Sequence, residues 1–101
     1  MQPRAPRYDI KRPLAYRMRS KASPQTGIGR TVNISRRGML FETDEQIAVG
    51  KWIEIDVDMG DPVGGGAPIN FHVQGVTLRR ENTSIAVAIR RHKLTAEDAA
   101  A

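Results

Sequence analysis

Cysteine is absent from this chain of 101 residues, which excludes a disulfide framework, a thiolate nucleophile and any zinc or iron–sulfur centre built on thiolates. Aromatic side chains are scarce: Tyr8, Tyr16, Phe41, Trp52 and Phe71 are all there are. Binders of single-stranded nucleic acid stack bases on exposed rings, and alternation puts Tyr16 and Phe71 on inward strand positions, so that class is poorly served despite a pI near 10.2. No apolar run approaches the roughly 20 residues that cross a membrane. None of about 7 to 15 residues follows the opening Met1-Gln-Pro-Arg-Ala-Pro-Arg7 to make a secretory signal, and a cytoplasmic location is expected. The glycine run Gly64-Gly65-Gly66 lacks the Gly-Lys-Ser/Thr ending and following helix of a phosphate loop. Catalysis is not expected: His72 and His92 are the only histidines. Alternation turns His72 outward, and His92 is expected in a solvated basic turn with Arg90, Arg91 and Lys93.

Acidic residues are nearly missing from the first third. Residues 1 to 37 hold ten basic side chains (Arg4, Arg7, Lys11, Arg12, Arg17, Arg19, Lys21, Arg30, Arg36, Arg37) and one acid, Asp9, for a local charge of +9. The remaining residues carry −4, leaving the chain at +5. Such a field concentrates anions near the N-terminal third, and phosphates are the biological anions it would collect.

A hydrophobic fraction of 40% and a charged fraction of 27% suit one globular domain. Its dominant periodicity is two. Leu14, Tyr16 and Met18 alternate with polar neighbours after a basic, proline-punctuated arm, and Ile28, Val32 and Ile34 are expected to share the inward face of a second strand, the two forming a hairpin across Ser20–Gly27. Met39-Leu40-Phe41 resumes a third strand after Gly38. Ile53, Ile55, Val57 and Met59 face in along the clearest strand, with Glu54, Asp56 and Asp58 facing out. Alternation explains those three acids without a catalytic pair. Ile69, Phe71 and Val73 alternate, but Val76 and Leu78 take the opposite parity, so a β-bulge near Gly75 is expected to keep all five inside. After a turn at Arg79–Asn82, Ile85, Val87 and Ile89 make a last strand. Thr95 and Asp98 have capping-box spacing and the closing alanines favour helix. The expectation is an all-β, six-stranded antiparallel barrel over residues 14–94, with a basic N-terminal arm over 1–13 and a short helix or frayed tail over 95–101.

Asn33-Ile-Ser35-Arg-Arg-Gly38 stands out within that frame. Alternation places Asn33 and Ser35 on one side, offering an amide and a hydroxyl that both donate and accept, as the edge of a purine base requires. An ordinary Asx or Ser turn would use the same residues. The segment resembles the (Asp/Asn)-x-Ser-x-x-Gly motif of PilZ domains, matching at all three defining positions. Pro13-Leu-Ala-Tyr16 and Ser84-Ile-Ala-Val-Ala-Ile89 extend the resemblance to the first and last strands. It implies a six-stranded barrel that binds cyclic di-GMP, with arginines of an Arg-x-x-x-Arg arm just ahead of the first strand.

The arm departs from that pattern. Arg7 takes the place of the second arginine, the first falls on Pro3, and Arg4 lies one residue out of register, leaving Arg-x-x-Arg. Arg7-x-x-x-Lys11 keeps the spacing, but lysine lacks the planar fork that pairs bidentately with phosphate or guanine. The resemblance assigns Arg4 and Arg7 to phosphate and guanine, and Asn33, Ser35 and Gly38 to the base-holding turn. It further implies an arm that reorders on binding and so signals to an unidentified downstream effector. No metal or other cofactor is expected. A barrel of the same fold that no longer binds the dinucleotide and serves as a protein interaction module is the alternative.

Overall fold

The computed structural model describes residues 6–19 and 24–96. Six strands, β1 (Pro13–Met18), β2 (Gln25–Ile34), β3 (Gly38–Glu42), β4 (Trp52–Asp58), β5 (Ile69–Glu81) and β6 (Ser84–Ala96), form a closed barrel in the order β1-β2-β3-β6-β5-β4. Every neighbouring pair is antiparallel. Closure through β1 and β4 removes the exposed edges that an open sheet would present along these strands.

The period-two pattern holds where large apolar residues alternate. Leu14, Tyr16 and Met18 of β1, Met39 and Phe41 of β3, Ile53, Ile55 and Val57 of β4, and Ile85 and Val87 of β6 are all buried in one cluster. Each such aliphatic side chain contributes about 1.5–3 kcal/mol on burial. Met59, Phe71, Ile89 and the arm residue Ile10 pack against it from one end.

Parity fails in β2 and β5, and for one reason. Ile28, expected inside, is 77% exposed, because the inward positions of this stretch are Gly27, Gly29 and Thr31. A Cβ at Gly27 would lie 2.3 Å from the Tyr16 hydroxyl oxygen, and one at Gly29 would lie 2.4 Å from the Glu42 carbonyl oxygen. The space is already taken by a ring from β1 and by the backbone of β3. A bulge at Val32, between the pairs Thr31↔Phe41 and Asn33↔Leu40, then resets the face so that Ile34 turns in. In β5 the buried run is Val73, Gly75 and Thr77, while Leu78 is 58% exposed. The irregularity expected at Gly75 is present, but its extra residue is Arg90 of β6, and it does not bring Val76 and Leu78 inside.

The expected C-terminal helix is not found among the described residues. Thr95 and Ala96, where it was to start, are the last residues of β6 and pair with Asn70 and Ile69 of β5; this pairing supplies backbone partners that outweigh the weak helix preference of a short alanine-rich end. Residues 97–101, including Asp98, lie outside the described residues. The last hairpin turns at Asn82, whose φ of 56° is the left-handed conformation asparagine tolerates, slightly beyond the expected Arg79–Asn82 turn, since Arg79 to Glu81 still belong to β5. His92 lies within β6, packed on Phe71 at a centroid distance of 5.6 Å, and not in a turn.

Candidate ligand site

The site is assembled at the end of the barrel where the arm enters. Asn33 and Ile34 end β2, Ile34 is 7% exposed within the core, and Asn33 and Ser35 flank it as partly exposed residues. Ser35 then builds the turn. Its N–H donates to the Gly38 carbonyl at 2.8 Å. Its Oγ accepts from the N–H groups of Gly38 (3.2 Å) and Arg37 (3.4 Å). Gly38 opens β3 against β6, where a Cβ would stand 3.3 Å from the Val87 carbonyl oxygen, so glycine here serves the close approach of two strands. The turn is also tied to β6, since the Ile89 N–H donates to the Arg37 carbonyl at 2.9 Å. Arg36 and Arg37 are therefore held at an exposed tip.

The arm is brought to this turn by backbone pairing. Tyr8 and Ile34 exchange both hydrogen bonds of an antiparallel bridge, at 2.9 and 3.0 Å. By the same register Arg7 lies across from Ser35 and Asp9 across from Asn33. A second tether stands further along: the buried Thr31 hydroxyl accepts from the Arg12 N–H at 2.8 Å and donates to the Ile10 carbonyl, while the Thr31 N–H donates to the Arg12 carbonyl at 2.9 Å. Arm and β1 thus form one continuous edge along β2. Arg7, Asn33, Ser35 and Gly38 are gathered at one end; Arg4 lies outside the described residues.

The cations of this region divide into two groups. Arg12 is engaged by Asp58, with its Nε donating to the Asp58 carbonyl at 2.7 Å and a 3.7 Å ion pair to the carboxylate. Arg17 is engaged by Glu54 at 2.5 Å. Arg7, Arg36 and Arg37 are exposed and enter no salt bridge among the described residues. Three exposed guanidiniums around a turn with a half-exposed amide make an electropositive, hydrogen-bonding surface suited to a phosphate-bearing purine ligand.

The PilZ domain family model matches residues 2–101, essentially the whole chain, in agreement with the closed barrel and the turn just described. The chain belongs to the PilZ domain family. No curated protein and no solved structure matches it. PilZ domains are cyclic di-GMP receptor domains that act as binding and adaptor units, and the motif Asn33-x-Ser35-x-x-Gly38 sits where β2 passes into β3 of this PilZ barrel. Among the described residues no helix is long and apolar enough to cross a membrane.

Sequence reasoning did not assign four residues that shape this end of the PilZ barrel. Tyr8 acts through its backbone, for which its identity carries no signal. Thr31 shares parity with Gly27 and Gly29, a pattern legible only once small residues are admitted as inward. Arg36 and Arg37 occupy the unspecified positions of the motif, yet two adjacent arginines at a turn were a readable sign of a cationic tip.

Proposed function

We propose that this PilZ domain is a cyclic di-GMP receptor that binds the dinucleotide through Arg4, Arg7 and the Asn33–Gly38 turn. The observation that carries the reading is the Tyr8–Ile34 backbone pair, which sets Arg7 across from Ser35. Arg7 would take a phosphate or a guanine bidentately, and the Asn33 amide would meet a base edge. Arg36 and Arg37 add positive charge around the same turn. Ser35 does double duty, since its hydroxyl also shapes the turn that presents these groups.

Signalling follows from the tethers. Ile10 and Arg12 are clamped by Thr31 and Tyr8 by Ile34, so rearrangement on binding is confined to the chain ahead of Tyr8. Folding those arginines over the ligand would replace a cationic surface by a ligand-covered one that a downstream effector, acting in the cytoplasm, can distinguish.

Isothermal titration calorimetry of the full chain with cyclic di-GMP at moderate salt, with cyclic di-AMP as base control, tests this. Binding at micromolar concentration or tighter is expected, and Arg7→Ala is expected to weaken it at least about tenfold, a loss of about 1.4 kcal/mol, with the far-UV spectrum unchanged. Ser35→Ala is expected to weaken it as well and to cost about 0.5–1.5 kcal/mol of folding stability. No heat from the wild-type protein at high ligand concentration would overturn the receptor reading and leave the barrel as an interaction module.

A further inference from the structure

The outer face of β4, β5 and β6 carries an ordered arrangement of charge. The register sets residues in rows across the three strands: Trp52–Val76–Ala88, Glu54–Gln74–Arg91 and Asp56–His72–Lys93. Read down the strands, β4 is an acidic column (Glu54, Asp56, Asp58), β5 is a column of Asn70, His72, Gln74 and Val76, and β6 beyond its bulge is basic (Arg91, Lys93). Neighbouring strands are about 4.8 Å apart, so the acidic and basic columns are separated by roughly 10 Å. They do not pair with one another: Arg90, Arg91 and Lys93 enter no salt bridge among the described residues. Within one copy Glu54 is held by Arg17 and Gln74 and its side chain is only 17% exposed, and Asp58 is engaged by Arg12; Asp56, in contact with His72, keeps 62% of its side chain exposed.

The apolar row has the same symmetry in size. Ala88 on β6 is small, Val76 on β5 intermediate and Trp52 on β4 large, with Trp52 left 43% exposed. Val49 and Leu78 extend the apolar surface at 50% and 58% exposure. The Gly50 N–H bonds to the Thr77 carbonyl at 2.6 Å, holding that loop against β5. Clustered exposed apolar side chains with an aromatic anchor mark an interaction surface.

We infer that this face is the interface of a homodimer, in which two copies pack β4–β5–β6 face to face about a two-fold axis running along β5. That operation lays β4 of one copy on β6 of the other. Asp56 then faces Lys93, Trp52 covers Ala88, and Val76 meets Val76. Isologous packing makes each of the first two contacts occur twice. Two sheets packed at about 10 Å bring such pairs into contact distance. The net charge of +5 opposes association, and the doubled Asp56–Lys93 pair with the Trp52 contact is what overcomes it. The occupant is a second copy because the face is complementary to itself in both charge and size.

Sedimentation equilibrium of the full chain without nucleotide, from about 1 to 500 µM at low salt, tests the dimer, in a range where associations of modest affinity dissociate. It reads no ligand, so it succeeds or fails independently of the receptor reading. A monomer–dimer equilibrium is expected. Asp56→Lys, Lys93→Asp and Trp52→Ala are each expected to raise the dissociation constant at least about tenfold. The decisive arm is an equimolar mixture of Asp56→Lys with Lys93→Asp. In the mixed dimer the lysine introduced in one variant meets the aspartate introduced in the other, and the native Lys93 of the first meets the native Asp56 of the second, so association returns toward the wild-type value. Circular dichroism melts check that each variant folds, and the two charge variants decide the matter should Trp52→Ala not fold. A monomer at all concentrations overturns the inference, as do charge variants that associate like wild type or a mixture that fails to restore association.

Discussion

Gly27, Gly29 and Gly75 decide which way their strands face, although none of them contributes a side chain. At Gly75 an added Cβ would stand 2.1 Å from the Ala88 carbonyl oxygen and 3.0 Å from its carbon. That neighbour is backbone, which cannot swing aside as a side chain can. Gly75→Ala is therefore expected to cost about 3 kcal/mol, at the upper end of overpacking penalties, and to lower the urea midpoint accordingly. Gly27 faces the Tyr16 ring instead. The Tyr16 hydroxyl is buried without a hydrogen-bonding partner among the described residues, and burial pushes its pKa up against the opposing influence of Thr43. These inward small residues explain why Ile28 and Leu78 were misplaced by parity. Apolar alternation reports the core only where the core needs volume, and in β2 and β5 that volume comes from the facing strand.

Among the elements, arm and β1 act as one strand held along β2, and Thr31 is the lock between them. Thr31→Val keeps the shape but leaves the Arg12 N–H and Ile10 carbonyl without their partner. A loss of about 1–3 kcal/mol is expected, together with faster tryptic cleavage after Lys11, read by mass spectrometry at short digestion times. On the other side of β1, closure onto β4 carries the pair Arg17–Glu54. Hydrogen bonds from Arg17 first, and from Gln74, hold the Glu54 carboxyl below the usual carboxylate range, against a smaller opposing effect of burial. A depressed folded-state pKa contributes stability that is complete above the unfolded value, about 4.3, and is lost as pH falls through the folded one. Wild type is thus expected to lose more stability than Glu54→Gln on acidification below about pH 4.3, seen as a steeper fall of the urea midpoint. The pair is close to the surface, so the difference is small and shrinks with salt.

For the whole molecule, the charge asymmetry read from the chain becomes a geometric one. Arg12 and Arg17 are spent on Asp58 and Glu54, while Arg7, Arg36 and Arg37 stay exposed at the arm end of the barrel. Affinity for cyclic di-GMP is expected to fall as sodium chloride rises from about 0.05 to 0.5 M, over which the Debye length drops from about 14 to 4 Å. Arg36→Ala combined with Arg37→Ala should flatten that dependence while changing folding stability by less than about 0.5 kcal/mol, as for surface substitutions away from caps and core. Titrations at several salt concentrations, with urea unfolding alongside, read both.

The linear sequence by itself determined the all-β class, the succession of six strands, the buried faces of β1, β4 and the first half of β6, and the turn motif that marks the family. These are local matters: a period of two and a short motif are written in neighbouring residues. Only the tertiary structure decided the inward glycines and threonines, the extension of β6 through Thr95 and Ala96, the Tyr8–Ile34 pairing that seats Arg7 by the turn, and the sorting of arginines into spent and exposed. Each depends on what a distant strand places opposite, as Tyr16 does for Gly27 and Asn70 for Thr95, and that information is carried by closure of the barrel and not by any one segment.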